Sequence, residues 1–182
     1  MENALVIIDM LNDFLLPSGS LYFEKGQAVV GAIARLKAAF RGCGVQVVYG
    51  NDAHPKDSLE FSGWSPHCLA GSPGAQIVQE LSPEAGDIVL YKDALSLFAD
   101  GVAQRILRGL GVSHLFLVGV ATEYSMKSSA FDALACGLTV TMVSDAVAGV
   151  DLREGDAEQA LEALRDAGVR FVTTQSLIAS LH

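Results

Sequence analysis

Four short runs of almost wholly apolar, largely β-branched residues in this sequence are each followed by a polar group able to do chemistry, and a fifth ends in one. Asp9 follows the run 5–8, Asp52 follows 45–51, Lys92 follows 87–91, the stretch Thr122 to Ser125 follows 115–120, and Asp145 ends 139–145. A single ionisable residue after a strand means little, because any strand must end in something polar. The conjunction carries more. An aspartate and a lysine on neighbouring strands, as expected of Asp9 and Lys92, keep each other charged while the carboxylate can still accept a proton from a nucleophile. Residue 125 falls in the first turn of a helix expected to begin near Thr122. Backbone N–H groups and the helix dipole there favour negative charge, as a nucleophile or an oxyanion requires.

A second constellation lies between residues 52 and 74, where Asp52, His54, Glu60 and His67 bring carboxylates together with two of the four histidines. This nitrogen and oxygen donor set suits zinc, iron or manganese. Asp-x-His pairs also occur in plain surface loops, so the spacing alone does not decide the matter. The segment is nevertheless irregular for roughly twenty residues, and loops longer than about 15 residues in compact domains are usually functional if ordered. His114 and His182 have no comparable company and read as structural or exposed. Cys68, beside His67, could serve as a soft ligand or a nucleophile, but a buried free thiol is the commoner role.

These groups need a scaffold, and the pattern of the chain supplies one. Six strands are expected at 5–9, 45–51, 87–91, 115–120, 139–145 and 169–173, each uniformly apolar as a strand covered on both faces should be. Amphipathic stretches lie between and after them at 27–41, 75–81, 102–110, 123–136, 154–167 and 175–181. Gly42, Gly44, Gly137 and Gly168 fall where a left-handed helix C-cap is wanted. The alternation predicts an α/β chain: a three-layer, Rossmann-like fold with a six-stranded parallel sheet flanked by helices. In such a sheet ligands bind outside the carboxyl ends of the strands, which places all five polar clusters on one rim.

Length and composition fit this picture. With 182 residues, 51% of them hydrophobic and 18% charged, the chain reads as one domain spanning 1–182 with a full core. A formal charge of −9, without any run of Lys or Arg, argues against nucleic acid as a partner. Cys43, Cys68 and Cys136 are odd in number and lack CxxC spacing, which suits buried free thiols in a reducing cytosol. The first residues offer neither a signal peptide nor a membrane span, so a cytoplasmic protein with no membrane partner is expected.

With these residues on the page, the chain resembles the nicotinamidase branch of the isochorismatase-like cysteine hydrolases from about residue 5 to 172. ALVIIDMLNDFLLPSGSL resembles the family's first strand, and the resemblance implies that Asp9 is its catalytic aspartate and that Phe14 and Leu21 are pocket residues. NDAHPKDSLEFSGWSPHCLAGSPGA resembles the metal loop. It implies Asp52, His54 and His67 as ligands, Glu60 as the fourth by analogy with members that use glutamate, and Trp64 as the aromatic that stacks on the substrate ring. VLYKDALSLF implies Lys92 as the catalytic lysine. GVATEYSMKSSAFDALACGLTV resembles the signature around the nucleophile, with oxyanion donors at Ala121 and residue 125 and a Val120–Ala121 bond that is usually cis.

The resemblance therefore implies hydrolysis of a linear amide, nicotinamide to nicotinate and ammonia. It also implies one divalent metal ion, zinc before iron or manganese, and a homo-oligomer. Another amide or ureide hydrolase of the superfamily, or an inactive small-molecule-binding relative, are the alternatives. One departure stands out: the family's cysteine nucleophile is replaced by Ser125. Either the chain is an engineered Cys-to-Ser variant, which the intactness of every other motif favours, or it is a natural member whose thiol chemistry has been lost or altered.

Overall fold

The structure is a computed structural model that describes residues 2–181, so His182 lies outside the described residues. Six strands form one sheet: β1 (Glu2–Ile8), β2 (Gln46–Asp52), β3 (Ile88–Lys92), β4 (Val112–Val120), β5 (Thr139–Ala148) and β6 (Arg170–Val172). All pairings are parallel, in the order β3-β2-β1-β4-β5-β6. The expected α/β architecture is thus present, and the strand order reverses between β1 and β4.

Alternation along each strand builds two cores. Ala4, Val6 and Ile8 of β1 point to one face, where they meet Ala103 and Leu107 of α4 (Val102–Gly109), Ala130 and Ala133 of α5 (Lys127–Ala135) and Leu164 of α6 (Asp156–Asp166). Leu5 and Ile7 point to the other, against Ile33, Leu36 and Phe40 of α3 (Val30–Gly42) and Leu177 of α7 (Thr174–Ser180). Each valine, leucine, isoleucine or phenylalanine among them, once fully buried, contributes about 1.5–3 kcal/mol, and this explains the apolar strands. Among the described residues no helix is long and apolar enough to cross a membrane.

Several expectations need correction. After β1 the chain makes one helical turn, α1 (Asn12–Leu15), and the stretch 27–41 is two helices, α2 (Glu24–Ala28) and α3, with the break at Val29. The stretch 75–81 is not a helix: single 3₁₀ turns at Pro73–Ala75 and Gln79–Leu81 flank an extended piece. Its backbone finds long-range partners instead, Asn12 N–H donating to the Gln76 carbonyl at 2.9 Å and Val78 N–H to that of Met10 at 3.0 Å. The apolar residues that look helical, Val78 and Leu81, are held by the core around α3 rather than by a helical face. β5 continues beyond Asp145 to Ala148, and the Asp145 carboxylate turns away to accept hydrogen bonds from the Thr174 N–H and hydroxyl at 2.7 and 2.9 Å. Asp145 therefore anchors the start of α7 and does not belong with the other rim groups. Gly44, Gly137 and Gly168 have the left-handed φ expected after a helix, whereas Gly42 is the last residue of α3. Of the three free cysteines only Cys68 is buried; Cys43 is exposed and Cys136 half-buried.

The point of strand reversal is the tightest place in the sheet. Gly119 of β4 has φ 123° and lies against the backbone of Ile8, whose carbonyl a Cβ would strike. Beyond it the chain leaves the sheet through a cis Val120–Ala121 bond, as the resemblance implies. It then enters a π-helical turn, Thr122–Met126, which leads into α5.

Candidate active site

β1 delivers Asp9 in a left-handed backbone conformation, φ 52°, unusual for a residue with a side chain. Its N–H donates to the Gly50 carbonyl at 3.0 Å, and its carboxylate turns over the sheet end. One oxygen accepts from the Asp52 N–H at 2.8 Å, the other from the Lys92 ammonium at 2.9 Å. The same ammonium pairs with the Asp52 carboxylate and reaches the Ser125 hydroxyl at 3.3 Å. Asp9 and Lys92 are not on neighbouring strands, as the sequence suggests, because β2 lies between β1 and β3. Lys92 reaches across β2, and so Asp52, at the end of β2, shares its charge.

All four groups are buried. Burial, reinforced by the Asp52 charge and opposed by Lys92 and the Ser125 hydroxyl, pushes the Asp9 carboxyl up to about 6. Burial also works against the Lys92 charge, but Asp9 and Asp52 outweigh it and hold the ammonium above the ordinary lysine range. Burial likewise opposes ionisation of Asp52; Lys92 and His54 overcome it and hold that carboxyl below its usual range. The result is one firmly ionised carboxylate, one fixed ammonium and one carboxyl poised to take up or release a proton beside a hydroxyl.

The polar groups of the loop after β2 converge on the same place. Ligand atoms of Asp52, His54 and His67 lie within 4.8 Å of one another. His54 Nε2 is 3.4 Å and His67 Nε2 4.0 Å from the same Asp52 oxygen. Each ring is held from behind at Nδ1: His54 by Asp93 at 2.6 Å and His67 by the Ser65 carbonyl at 2.8 Å. Both Nε2 atoms therefore face inward, and that of His54 is buried without a hydrogen-bond partner. A buried orphan nitrogen opposite a carboxylate is what a cation would satisfy, so these residues fit a divalent metal. Burial opposes a charge on His54, but Asp52 and Asp93 prevail and raise it to about 9. A bound cation would take the place of that proton. Glu60 lines the cavity beside them without joining the group of three.

The cavity over these groups holds about 300 Å³, and Phe14, Leu21, Trp64, Ala121 and Ser125 all line it, as the resemblance implies. Phe14 lies 5.5 Å from the His67 ring, and Trp64 stands edge-on to Tyr124 at 5.2 Å. The charged lining residues are Asp9, Asp52 and Glu60; no lysine or arginine is among them. Cys68 lies outside this wall, and burial pushes its thiol far above the reactive range, so the inert reading fits. His114 is structural, bonded to the Thr141 hydroxyl at 2.8 Å and packed on Phe116.

Four participants escape a reading of the sequence alone. Tyr124, next to Ser125, forms part of the wall, and Asp93, next to Lys92, orients His54. Lys25 of α2 bonds Asp151 at 2.7 Å and so joins the segment that carries the lining residues Tyr22 and Phe23 to the one that carries Val150 and Leu152. Only adjacency to Lys92 and Ser125 could have flagged the first two. The ion pair joins residues far apart in the chain and had no sequence signal.

With this geometry in view, comparison with known proteins gives a match to the isochorismatase domain model over residues 3–176. The chain belongs to the isochorismatase family. Among curated members of the family, it is 34% identical over 185 residues to the nicotinamidase/pyrazinamidase of Mycobacterium tuberculosis, covering 93% of this chain and 97% of that one. A crystal structure of Pyrococcus horikoshii pyrazinamidase in complex with zinc superposes with a TM-score of 0.87 at 32% identity, covering 95% and 99% of the two chains. N-carbamoylsarcosine amidase from Thermoplasma acidophilum superposes with a TM-score of 0.86 at 32% identity, covering 96% and 97%. These three relatives are amide hydrolases, and this chain has their scaffold.

Proposed function

We propose that this chain is an amidohydrolase of the nicotinamidase type, built to convert nicotinamide to nicotinate and ammonia, with Ser125 at the nucleophile position. The observation that carries the reading is the buried Asp9–Lys92–Ser125 cluster on the floor of an aromatic-walled cavity, beside three convergent metal-type donors. Asp52, His54 and His67 would hold a divalent ion, zinc before iron or manganese, and Glu60 on the adjoining wall would have to turn inward to serve as the fourth ligand. When bound, the ion supplies a Lewis-acidic hold on the pyridine nitrogen. Phe14, Leu21 and Trp64 confine the ring so that the carboxamide carbon faces residue 125.

In the reaction, the side chain of residue 125 adds to that carbon as its proton passes to Asp9. The carbon–nitrogen bond then breaks, and Asp9 returns the proton to the departing ammonia. Lys92 keeps Asp9 ionised and aligned. The N–H groups of Ala121 and residue 125 carry the oxyanion, each such donor being worth about 2.7–4 kcal/mol. Water then adds to the acyl carbon as its proton passes to Asp9, which returns it to the side chain of residue 125 as nicotinate leaves. A serine hydroxyl is far less acidic than a thiol, and no histidine lies beside it to act as a strong base, so turnover by this chain is expected to be slight while binding is kept.

Ammonia release from nicotinamide, measured for this chain and for Ser125→Cys, is the test. A large gain for the cysteine variant is expected, and equal rates would defeat the account of residue 125. A second reading, favoured by Ser125 itself, is a binding-only relative; it requires nicotinamide binding with no amidase activity even after Ser125→Cys.

A further inference from the structure

We infer that Asp93 is a positioning residue that fixes His54 in the orientation in which it accepts a metal ion. The inference rests on the metal reading of the loop and extends it to a residue outside the donor set. One Asp93 oxygen accepts from His54 Nδ1 at 2.6 Å and from the Ser58 hydroxyl at 2.6 Å. With the Nδ1 proton committed to a carboxylate, the tautomer is settled and the lone pair of Nε2 is left for the side facing Asp52 and His67. Among the described residues no other hydrogen bond holds the His54 ring. Nε2 faces the Asp52 carboxylate at 3.4 Å, and the ring neighbours, Phe61 at 5.5 Å and His67 at 4.8 Å, limit the tilt of the imidazole but do not select which nitrogen points inward.

The second bond extends the control. Ser58 accepts from the Glu60 N–H at 3.2 Å and so starts the turn Leu59–Ser62 that carries Glu60 to the cavity wall. Asp93 follows Lys92 at the end of β3 and thus ties the sheet end that carries the ammonium to the loop that carries the donors. Its side chain is 43% exposed, so replacing it leaves no core void.

The test uses the full chain stripped of metal by a chelator, with zinc affinity measured by competition against a chromophoric chelator and site geometry by the visible spectrum of the cobalt(II) form. Asp93→Ala is expected to weaken zinc binding by about 10- to 100-fold and to alter the cobalt spectrum, with Asp93→Asn, which keeps an acceptor oxygen, in between. Thermal unfolding of the metal-free forms checks the fold; if Asp93→Ala does not fold, Asp93→Asn decides by the same two readouts. His54→Ala serves as the reference. If the parent binds no zinc, or His54→Ala binds as well as the parent, the metal reading fails and the inference with it. If the parent binds, His54→Ala does not, and the folded Asp93 variants match the parent in affinity and spectrum, the inference alone fails.

Discussion

At the scale of single residues, the cluster at the sheet end is a balance of opposed charges with little margin. Lys92 is the ammonium between two buried carboxylates, Asp9 and Asp52. Removing one partner of a buried pair leaves the others uncompensated, which typically costs about 3–5 kcal/mol. Lys92→Met is therefore expected to lower the denaturant midpoint markedly as well as to abolish the activity regained by Ser125→Cys. Loss of activity with unchanged stability would show that the charges are hydrated and not buried. Asp9→Asn should act differently, since it keeps the shape and one of the two accepted hydrogen bonds yet removes the proton acceptor. In the Ser125→Cys background it should lose turnover while nicotinamide binding, followed by calorimetry, persists. The identities Asp9, Lys92 and Ser125 were legible because each follows an apolar strand. The role of Asp52 as a second partner of Lys92 was not, because it depends on which strand lies between the other two.

At the scale of elements, two features control the site's shape. Gly119 lets β4 approach the backbone of β1 at a φ that L side chains rarely adopt. Gly119→Ala should cost more than about 1 kcal/mol, because both the backbone angle and the space are wrong for a Cβ; urea unfolding measures this. The second feature is the pair Lys25–Asp151, which joins two chain segments that line the cavity. Asp151 also accepts from the Ala157 N–H at 2.8 Å, and its own N–H donates to Glu123 at 2.7 Å, so it sits rigidly on the α6 side. Lys25→Ala in the Ser125→Cys background is expected to raise KM with little change in kcat, and exchanging the two charges should restore part of the loss. A change confined to kcat would place the pair's effect elsewhere. The strands and most helices were legible from periodicity. The segment 75–81 was not, because its apolar spacing fits a helix, and its pairing with Met10 and Asn12 is a contact between distant parts of the chain.

At the scale of the whole molecule, metal, loop and sheet should behave as linked parts. A ligand that binds only the folded chain stabilises it by about 2.7 kcal/mol at one hundred times its dissociation constant. Zinc is accordingly expected to raise the melting temperature of the stripped chain, and His54→Ala should cancel the rise. An equal rise in that variant would locate the ion elsewhere. The sequence by itself determined the parallel α/β architecture and which positions bear reactive groups, because apolar runs, strand ends and donor types are local properties of the chain. Tertiary structure decided how those groups meet. The order β3-β2-β1-β4-β5-β6 sets Lys92 across β2 from Asp9, gives Asp52 a share in both the ion cluster and the donor group, sends Asp145 to α7, and brings Asp93 behind His54. Strand order and loop folding are fixed by the packing of both faces of the sheet at once, and no local stretch of sequence encodes that.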